Sequence, residues 1–348
     1  MAIITVLTQY YFIRKYICSM RIPFEELKAE FNRVLIKLDF PTDKADLCAR
    51  VFAENSRDGV YTHGLNRFPT FVWYIKERVI KAHNQPTLVN AFGALEQWDG
   101  NLAPGIINAL FCMDRAITLA KEHGIGCVAI RNTNHWMRGG TYGWQAADAG
   151  YIGINFTNTI ANVAPTGGTT PTLGNNPLVI SVPRKGGHVV LDMAISQFSI
   201  GKILQYQSYG EQLPVPGGYD HEGNLSTDPT AILESKRVLP IGFWKGSGLT
   251  MVLDLLATIL SQGRSVKQIT GQGMEFGVSQ VFIAIKPQSG QQTDELIEEI
   301  LNFTKSSQQA NADKAVSYPG ENTLKTRERN LKEGVLVDER IWNEVKGF

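Results

Sequence analysis

Disulfide chemistry is the first thing this sequence lacks. Its 348 residues include only four cysteines, Cys18, Cys48, Cys112 and Cys127, none at C-x-x-C spacing. So few thiols in so long a chain make no disulfide framework, and small apolar residues in a reducing, cytoplasmic compartment are expected. An excess of one charge is also missing: 34 Lys+Arg stand against 33 Asp+Glu, for a net charge of +1. Nucleic-acid binders usually carry a basic face, so that partner class is not expected. Nor is there a run of the roughly 20 apolar residues that a bilayer span needs. What is present, 43% hydrophobic and 19% charged residues, excludes a disordered chain or a coiled coil. The length allows one large domain or two interleaved ones.

Residues Met1 to Met20 are apolar and aromatic, but Arg14 and Lys15 interrupt them and no signal-cleavage pattern follows. The segment reads as an ordinary strand or tail, or as an extension (1–19) outside the natural protein with Met20 as its start. From Phe24 apolar residues recur at helical spacing through Leu38. Pro41 ends that helix, Thr42 is expected to cap a second, and Asp58-Gly59 stops it. A third helix carries Phe68, Phe71, Val72, Ile75 and Val79 on one face. Further along, a helix from about Pro104 to Glu122 ends at Gly124, and Ile125 to Ile130 reads as a buried strand. A short helix at Gly143 to Ala149 follows, then strands at Ile152 to Phe156, Leu178 to Val182 and Val189 to Met193. An apolar helix at about Leu249 to Leu260, a strand at Val281 to Ile285, a helix at Asp294 to Phe303 and a polar tail complete the chain. Alternating strands and helices predict an α/β fold.

Several common signatures fail. Gly124-Ile125-Gly126-Cys127-Val128-Ala129 matches G-x-G-x-x-A as a string, but a helix precedes it and a strand follows. A dinucleotide fingerprint needs the opposite order. There is no G-x-x-x-x-G-K-[ST], no G-x-S-x-G and no H-E-x-x-H, and the six histidines show no metal-ligand spacing, so no metal is expected.

Three loops carry chemistry. Asp58 to Pro69 (DGVYTHGLNRFP) sets His63 four residues from Arg67 at the mouth of a helix. Imidazole exchanges protons near neutrality, and guanidinium grips a carboxylate bidentately. A 2-oxo acid needs both, although the pattern alone also describes a surface histidine near an unrelated arginine. Asn132 to Gly140 (NTNHWMRGG) places His135 directly after a strand, where open α/β sheets present ligand groups. It could orient substrate or act as acid/base, or be a hydrogen-bonded loop residue. Thr157-Asn158, Ala164 to Gly168 and Gly174 to Pro177 are rich in Gly, Asn and Pro, which permits tight turns near a ligand.

Taken in order, the motifs DGVYTHGLNRFP, Asn134-His135, GYIGINFTN (Gly150 to Asn158), GNNP (Gly174 to Pro177), LDMA (Leu191 to Ala194) and GFWKGSG (Gly242 to Gly248) resemble the malate/L-lactate dehydrogenase family. That family uses NAD(P) without a Rossmann fold. The resemblance runs from about Phe24 to the C-terminus, and NHWMRGGTYGWQAA (Asn134 to Ala147) together with WKGSG points to members that reduce a sugar-derived 2-oxo acid.

The resemblance implies a mixed-sheet, sulfolactate dehydrogenase-like α/β core (126–285) that holds the dinucleotide. It implies a helical N-terminal region (20–125) packed with the C-terminal region (286–348), and a homodimer whose cleft involves both subunits. His63 is then the acid/base and His135 the second catalytic histidine, with Arg67, Thr62 and Asn158 on the substrate. Cofactor contacts fall on His188, Val189, Val190, Leu191, Asp192, Met193 and Ala194, on Trp244 and Lys245, and on Gly320, Glu321 and Asn322. The cofactor is expected to be NADH, with NADPH as the alternative. Where the family has Ser-His-Gly this chain has Thr62-His63-Gly64, and where it has Gly-Thr-Asn-Pro this chain has Gly174-Asn175-Asn176-Pro177. Malate, lactate, ureidoglycolate and cyclic imino acids are alternative substrates, and a non-catalytic sugar-acid binder is the rival outside enzymes.

Overall fold

The computed structural model describes residues 19–310 and 315–348. The reading of 1–19 as an extension therefore lies outside the described residues, except that Ser19 opens a strand. Strand β1 (Ser19–Ile22) leads into helices α1 (Phe24–Lys37), α2 (Thr42–Arg57) and α3 (Phe68–Lys76). Pro41, not Thr42, sits at the cap of α2, since its carbonyl accepts the Ala45 N–H at 2.8 Å and proline needs no partner of its own. The apolar stripes of these helices meet in a layer built on Phe31, Phe52, Phe68 and Phe71, with Phe52 edge-on to Phe68 at 5.0 Å.

Next comes a hairpin that the pattern did not show, β2 (Thr87–Phe92) and β3 (Leu95–Asp99), and then α4 (Gly105–His123). Gly124 caps α4 in the left-handed conformation, as expected. Strand β4 (Ile125–Thr133), helix α5 (Gly140–Asp148) and strand β5 (Ile152–Thr157) follow. The short pair β6 (Ala161–Val163) and β7 (Leu173–Gly174) precedes β8 (Leu178–Val182) and β9 (Val189–Met193). A small outlying unit holds α6 (Ile200–Tyr209), β10 (Gly218–Tyr219), β11 (Leu225–Ser226) and α7 (Pro229–Ser235) around Ile203, Leu213, Ile232 and Val238. The chain returns through α8 (Trp244–Ser261), α9 (Val266–Gly271), β12 (Val278–Ile285) and α10 (Gln291–Lys305). What reads as a polar tail is ordered: α11 (Glu321–Glu333), β13 (Val335–Asp338) and α12 (Glu339–Gly347). Strand β13 pairs with β1, and Trp342 and Val345 of α12 enter the aromatic layer.

The seven-stranded sheet has the order β2-β3-β4-β12-β5-β8-β9 and is mixed, with β3 and β4 its one parallel pair. Its central strands bury both faces. Val128, Ile130 and Phe282 face Ala109, Cys112 and Met113 of α4, while Ala129 and Val281 face Leu253 and Ala257 of α8. This is the mixed α/β class expected, although β2 and β3 extend the sheet into a region read as helical. Cys48 and Cys112 are buried free thiols and Cys127 a half-buried one. Among the described residues no helix is long and apolar enough to cross a membrane.

Candidate active site

The segment after α2 folds into two short 3-10 turns, Tyr61–His63 and Leu65–Arg67. It lies directly on α2: the Asn55 amide donates to the His63 carbonyl at 2.9 Å, and the Leu65 N–H donates to Ser56 Oγ at 2.9 Å. Gly64 makes this approach possible, because a Cβ there would stand 2.2 Å from Ser56 Oγ. The Thr62 hydroxyl lies 3.0 Å from His63 Nδ1, and the methyl that threonine adds to serine rests against Gly201 of α6.

The second histidine comes from the loop after β4. Asn134 is buried and anchors that loop, donating to the carbonyls of Leu102 (2.9 Å) and Ala103 (3.1 Å), while Gln280 donates to its own carbonyl at 3.1 Å. The loop crosses the start of α4 at Gly105, where a Cβ would fall 2.2 Å from the Asn134 oxygen. His135 Nδ1 accepts the Met137 N–H at 3.0 Å, which leaves the ring proton on Nε2. The His63 and His135 rings lie nearly parallel, with centroids 5.7 Å apart and planes 14° apart.

Arg67 and His135 line a small cavity of about 10 Å³ together with Phe71, Tyr74, Ile80, Asn134, Met137 and Glu275, and His63 lies beside it, stacked on His135. No hydrogen bond or ion pair among the described residues uses the Arg67 guanidinium. Burial, with the charges of Arg67 and Arg138, lowers the pKa of His63 to about 4. Burial, Arg67 and His63 likewise push His135 well below the usual imidazole range. A cation thus sits close to two imidazoles held neutral, an arrangement of groups able to bind a carboxylate and exchange a proton next to it once the cavity widens.

Asp58, the aspartate that opens the turn, holds three arginines. Arg57 reaches it at 2.9 Å, Arg138 at 2.8 Å, and Arg327 of α11 at 2.8 and 2.7 Å. Burial would raise its pKa, but the Arg327 hydrogen bonds and the charges of Arg138, Arg57 and Arg327 outweigh that and hold it down. Arg138 also points Nε toward Asp192 at 3.6 Å, so this hub ties the histidine turn to strand β9.

The expected cofactor segments converge on β9, the sheet edge. The Val190 N–H donates to Pro319 O at 2.9 Å, which docks the turn Gly320, Glu321, Asn322 against it. Just beyond the other end, Ile195 O accepts the Ile241 N–H at 2.9 Å, three residues before Trp244 and Lys245. Trp244 is 68% exposed, with the Lys245 ammonium 6.0 Å from its ring. His188 accepts the Arg184 N–H at 3.0 Å, lies 2.9 Å from Asp148 and packs on Trp144. Glu321 pairs with Lys305 at 2.8 Å.

Asn158 does not join the pocket. It is fully buried, and its amide is spent on Asp254 (2.9 Å), the Arg264 carbonyl (2.7 Å) and the Ser279 N–H (2.8 Å). Its work is to tie β5 to β12 and α8. Asn176 does the same, accepting the Thr159 N–H and donating to the Thr250 carbonyl. Tyr74 and Glu275 are the polar lining residues that sequence reasoning missed. Tyr74 stood nearly two turns into a predicted helix, and Glu275 had no local signal at all.

Comparison with known proteins gives the same family. The profile described as malate/L-lactate dehydrogenase matches residues 22–346. A 2,3-diketo-L-gulonate reductase of Citrobacter koseri is 44% identical over 333 residues, covering 94% of this chain and all of the relative. One of Escherichia coli matches with the same identity and coverage. Among solved structures, malate dehydrogenase from Entamoeba histolytica superposes with a TM-score of 0.89 at 25% identity, covering 94% of this chain and 97% of that one. Sulfolactate dehydrogenase from Methanocaldococcus jannaschii gives 0.85 at 29% identity, covering 94% and 96%. The chain therefore belongs to the malate/L-lactate dehydrogenase family and is an oxidoreductase.

Proposed function

We propose that this protein reduces a sugar-derived 2-oxo acid, 2,3-diketo-L-gulonate in the first instance, to the hydroxy acid, with NADH as reductant. The observation that carries the reading is the Arg67 guanidinium, without a hydrogen bond or ion pair among the described residues, close to two stacked neutral imidazoles. Arg67 takes the substrate carboxylate bidentately and sets the adjacent ketone against the histidines. His63 gives its proton to the ketone oxygen from Nε2, while Nδ1 faces the Thr62 hydroxyl. His135, fixed as the Nε2–H tautomer, donates a hydrogen bond to the same oxygen. A carboxylate on Arg67 cancels one of the charges that keep His63 neutral, so substrate binding itself readies the acid.

When bound, the nicotinamide supplies the hydride. The residues along β9 fit such a group on two observations. Trp144 Nε1 is a buried donor without a partner among the described residues, next to His188, and Trp244 with Lys245 offers an exposed aromatic-cation pair at the far end. NADH is favoured over NADPH on family resemblance.

Helix α8 supports a homodimer. It buries Leu253 and Ala257 against the sheet, yet Met251, Val252, Leu255 and Ile259 on its outer side are between 44% and 66% exposed. An apolar helix with both sides apolar calls for cover on both. A cytoplasmic, reducing setting suits the three free thiols described. NADH oxidation followed at 340 nm against 2,3-diketo-L-gulonate, oxaloacetate, pyruvate and a cyclic imine tests the proposal, with His63→Ala in parallel. Selective turnover of the diketo acid, falling by about 10²–10⁴-fold in the variant, is expected. Turnover confined to another substrate, or full activity in the variant, overturns the substrate or the acid respectively.

A further inference from the structure

We propose that Glu275 determines substrate class: its carboxylate accepts hydrogen bonds from the hydroxyls of a polyhydroxy 2-oxo acid and repels any substrate with a second carboxylate. The inference rests on the reading of the pocket as a 2-oxo acid site. Glu275 stands between α9 and β12 and lines the same pocket as Arg67, His135 and Tyr74, among the apolar side chains of Phe71, Ile80 and Met137. Its Oε2 accepts the Ile160 N–H at 3.0 Å, which fixes the side chain from behind. Among the described residues its Oε1 has no hydrogen-bond partner, and although it shares a pocket with Arg67 the two form no ion pair.

Glu275 is half-buried, so water can reach Oε1 until a substrate fills the pocket, and a carboxylate stripped of that water is costly unless the substrate donates to it. Burial does raise its pKa, against the Ile160 N–H and Arg67, which lower it. The group that relieves this cost must bring O–H donors and no negative charge of its own. With the substrate carboxylate held by Arg67 and the ketone at the histidines, the hydroxylated remainder of a sugar acid meets that need, and Tyr74 offers a further hydroxyl beside it. Oxaloacetate would set its second carboxylate against Glu275 at close range in a half-apolar pocket, where like charges are poorly screened. Pyruvate, with no hydroxyl to offer, would gain nothing from Glu275. Specificity of this kind comes from a buried polar group that only the right substrate satisfies.

The test compares Glu275→Gln and Glu275→Asp with the wild type, using kcat/KM for 2,3-diketo-L-gulonate, pyruvate and oxaloacetate with NADH. Glutamine keeps an oxygen for the Ile160 N–H but loses the charge, and aspartate keeps the charge but withdraws it. In Glu275→Gln the ratio of kcat/KM for the diketo acid over oxaloacetate should fall about 10–100-fold, mainly through KM, as for loss of a hydrogen bond to a charged group. Glu275→Asp should retain the bias against oxaloacetate better than the glutamine variant. Ratios are read because partial misfolding lowers all substrates together. A wild type that prefers the diketo acid, with ratios unchanged in Glu275→Gln, overturns the role of Glu275 and leaves the proposed reaction standing. A wild type that prefers oxaloacetate overturns both.

Discussion

The lowered pKa of His63 has a direct kinetic consequence. At a pKa of about 4, about one molecule in a thousand carries the imidazolium at pH 7, against roughly one in four for an ordinary histidine near 6.5. With His63 as the proposed donor, reduction consumes the protonated form. Its kcat/KM, which reports the state of the enzyme before the 2-oxo acid binds, should fall about tenfold per pH unit from pH 5.5 to 8. The reverse oxidation consumes the neutral form, already complete at these pH values, so its kcat/KM should be flat across the same range and decline only near pH 4. Substrate on Arg67 removes one of the two charges that depress the pKa, so the break in kcat for reduction should lie at higher pH than that in kcat/KM. Initial rates in both directions, in buffers of constant ionic strength, read all three slopes. A flat kcat/KM for reduction between pH 6 and 8 would remove His63 as the proton donor.

Other expectations follow from the same geometry. Arg67→Lys should raise KM for the 2-oxo acid more than it lowers kcat, because an ammonium lacks the planar fork; an effect on kcat alone counts against a binding role. Asp58→Asn strips the shared anion from three arginines, two of whose side chains are no more than 15% exposed. It should cost about 3–5 kcal/mol in urea denaturation, as for a broken buried ion pair; a loss below 1 kcal/mol would make the hub ornamental. Leu255→Glu, on the outer side of α8, should shift sedimentation from dimer toward monomer; an unchanged dimer places the interface elsewhere.

How much of this was legible in the sequence depended on how local each signal was. Strands β8 and β9 fall on Leu178 to Val182 and Val189 to Met193 as read, because runs rich in valine, isoleucine and leucine signal a strand even toward the sheet edge, where these two lie only partly buried. The hairpin of β2 and β3 escaped because β2 is exposed along its whole length and Glu96 and Gln97 interrupt β3. Helix α11 looked like a tail since its fixed points are polar: Arg327 on Asp58, and the buried Asn330 donating to the Arg57 carbonyl. In the site, His63 and Arg67 share a short turn and could be read together. His135 was visible as a loop after a strand, but its stacking on His63 is a tertiary fact. Glu275 enters the pocket from more than 200 residues downstream of Arg67, and no spacing rule reaches that far. Asn158 misled because an asparagine after a strand looks the same whether it meets a ligand or a neighbouring backbone.

The position of β12 also bears on how the protein is made. Strands β4 and β5 leave the ribosome one after the other, yet they do not pair; β12 lies between them, hydrogen-bonded to both. Until residue 285 has been synthesised, two apolar strands therefore wait with open edges, and the chain has no complete sheet on which α4 and α8 can settle. The Asp58 hub waits longer still, for Arg327. Such late, long-range closure slows folding and prolongs the exposure of strands that could pair with a neighbouring nascent chain. Yield on expression should then depend on chaperone supply more steeply than the stability of the finished fold would suggest.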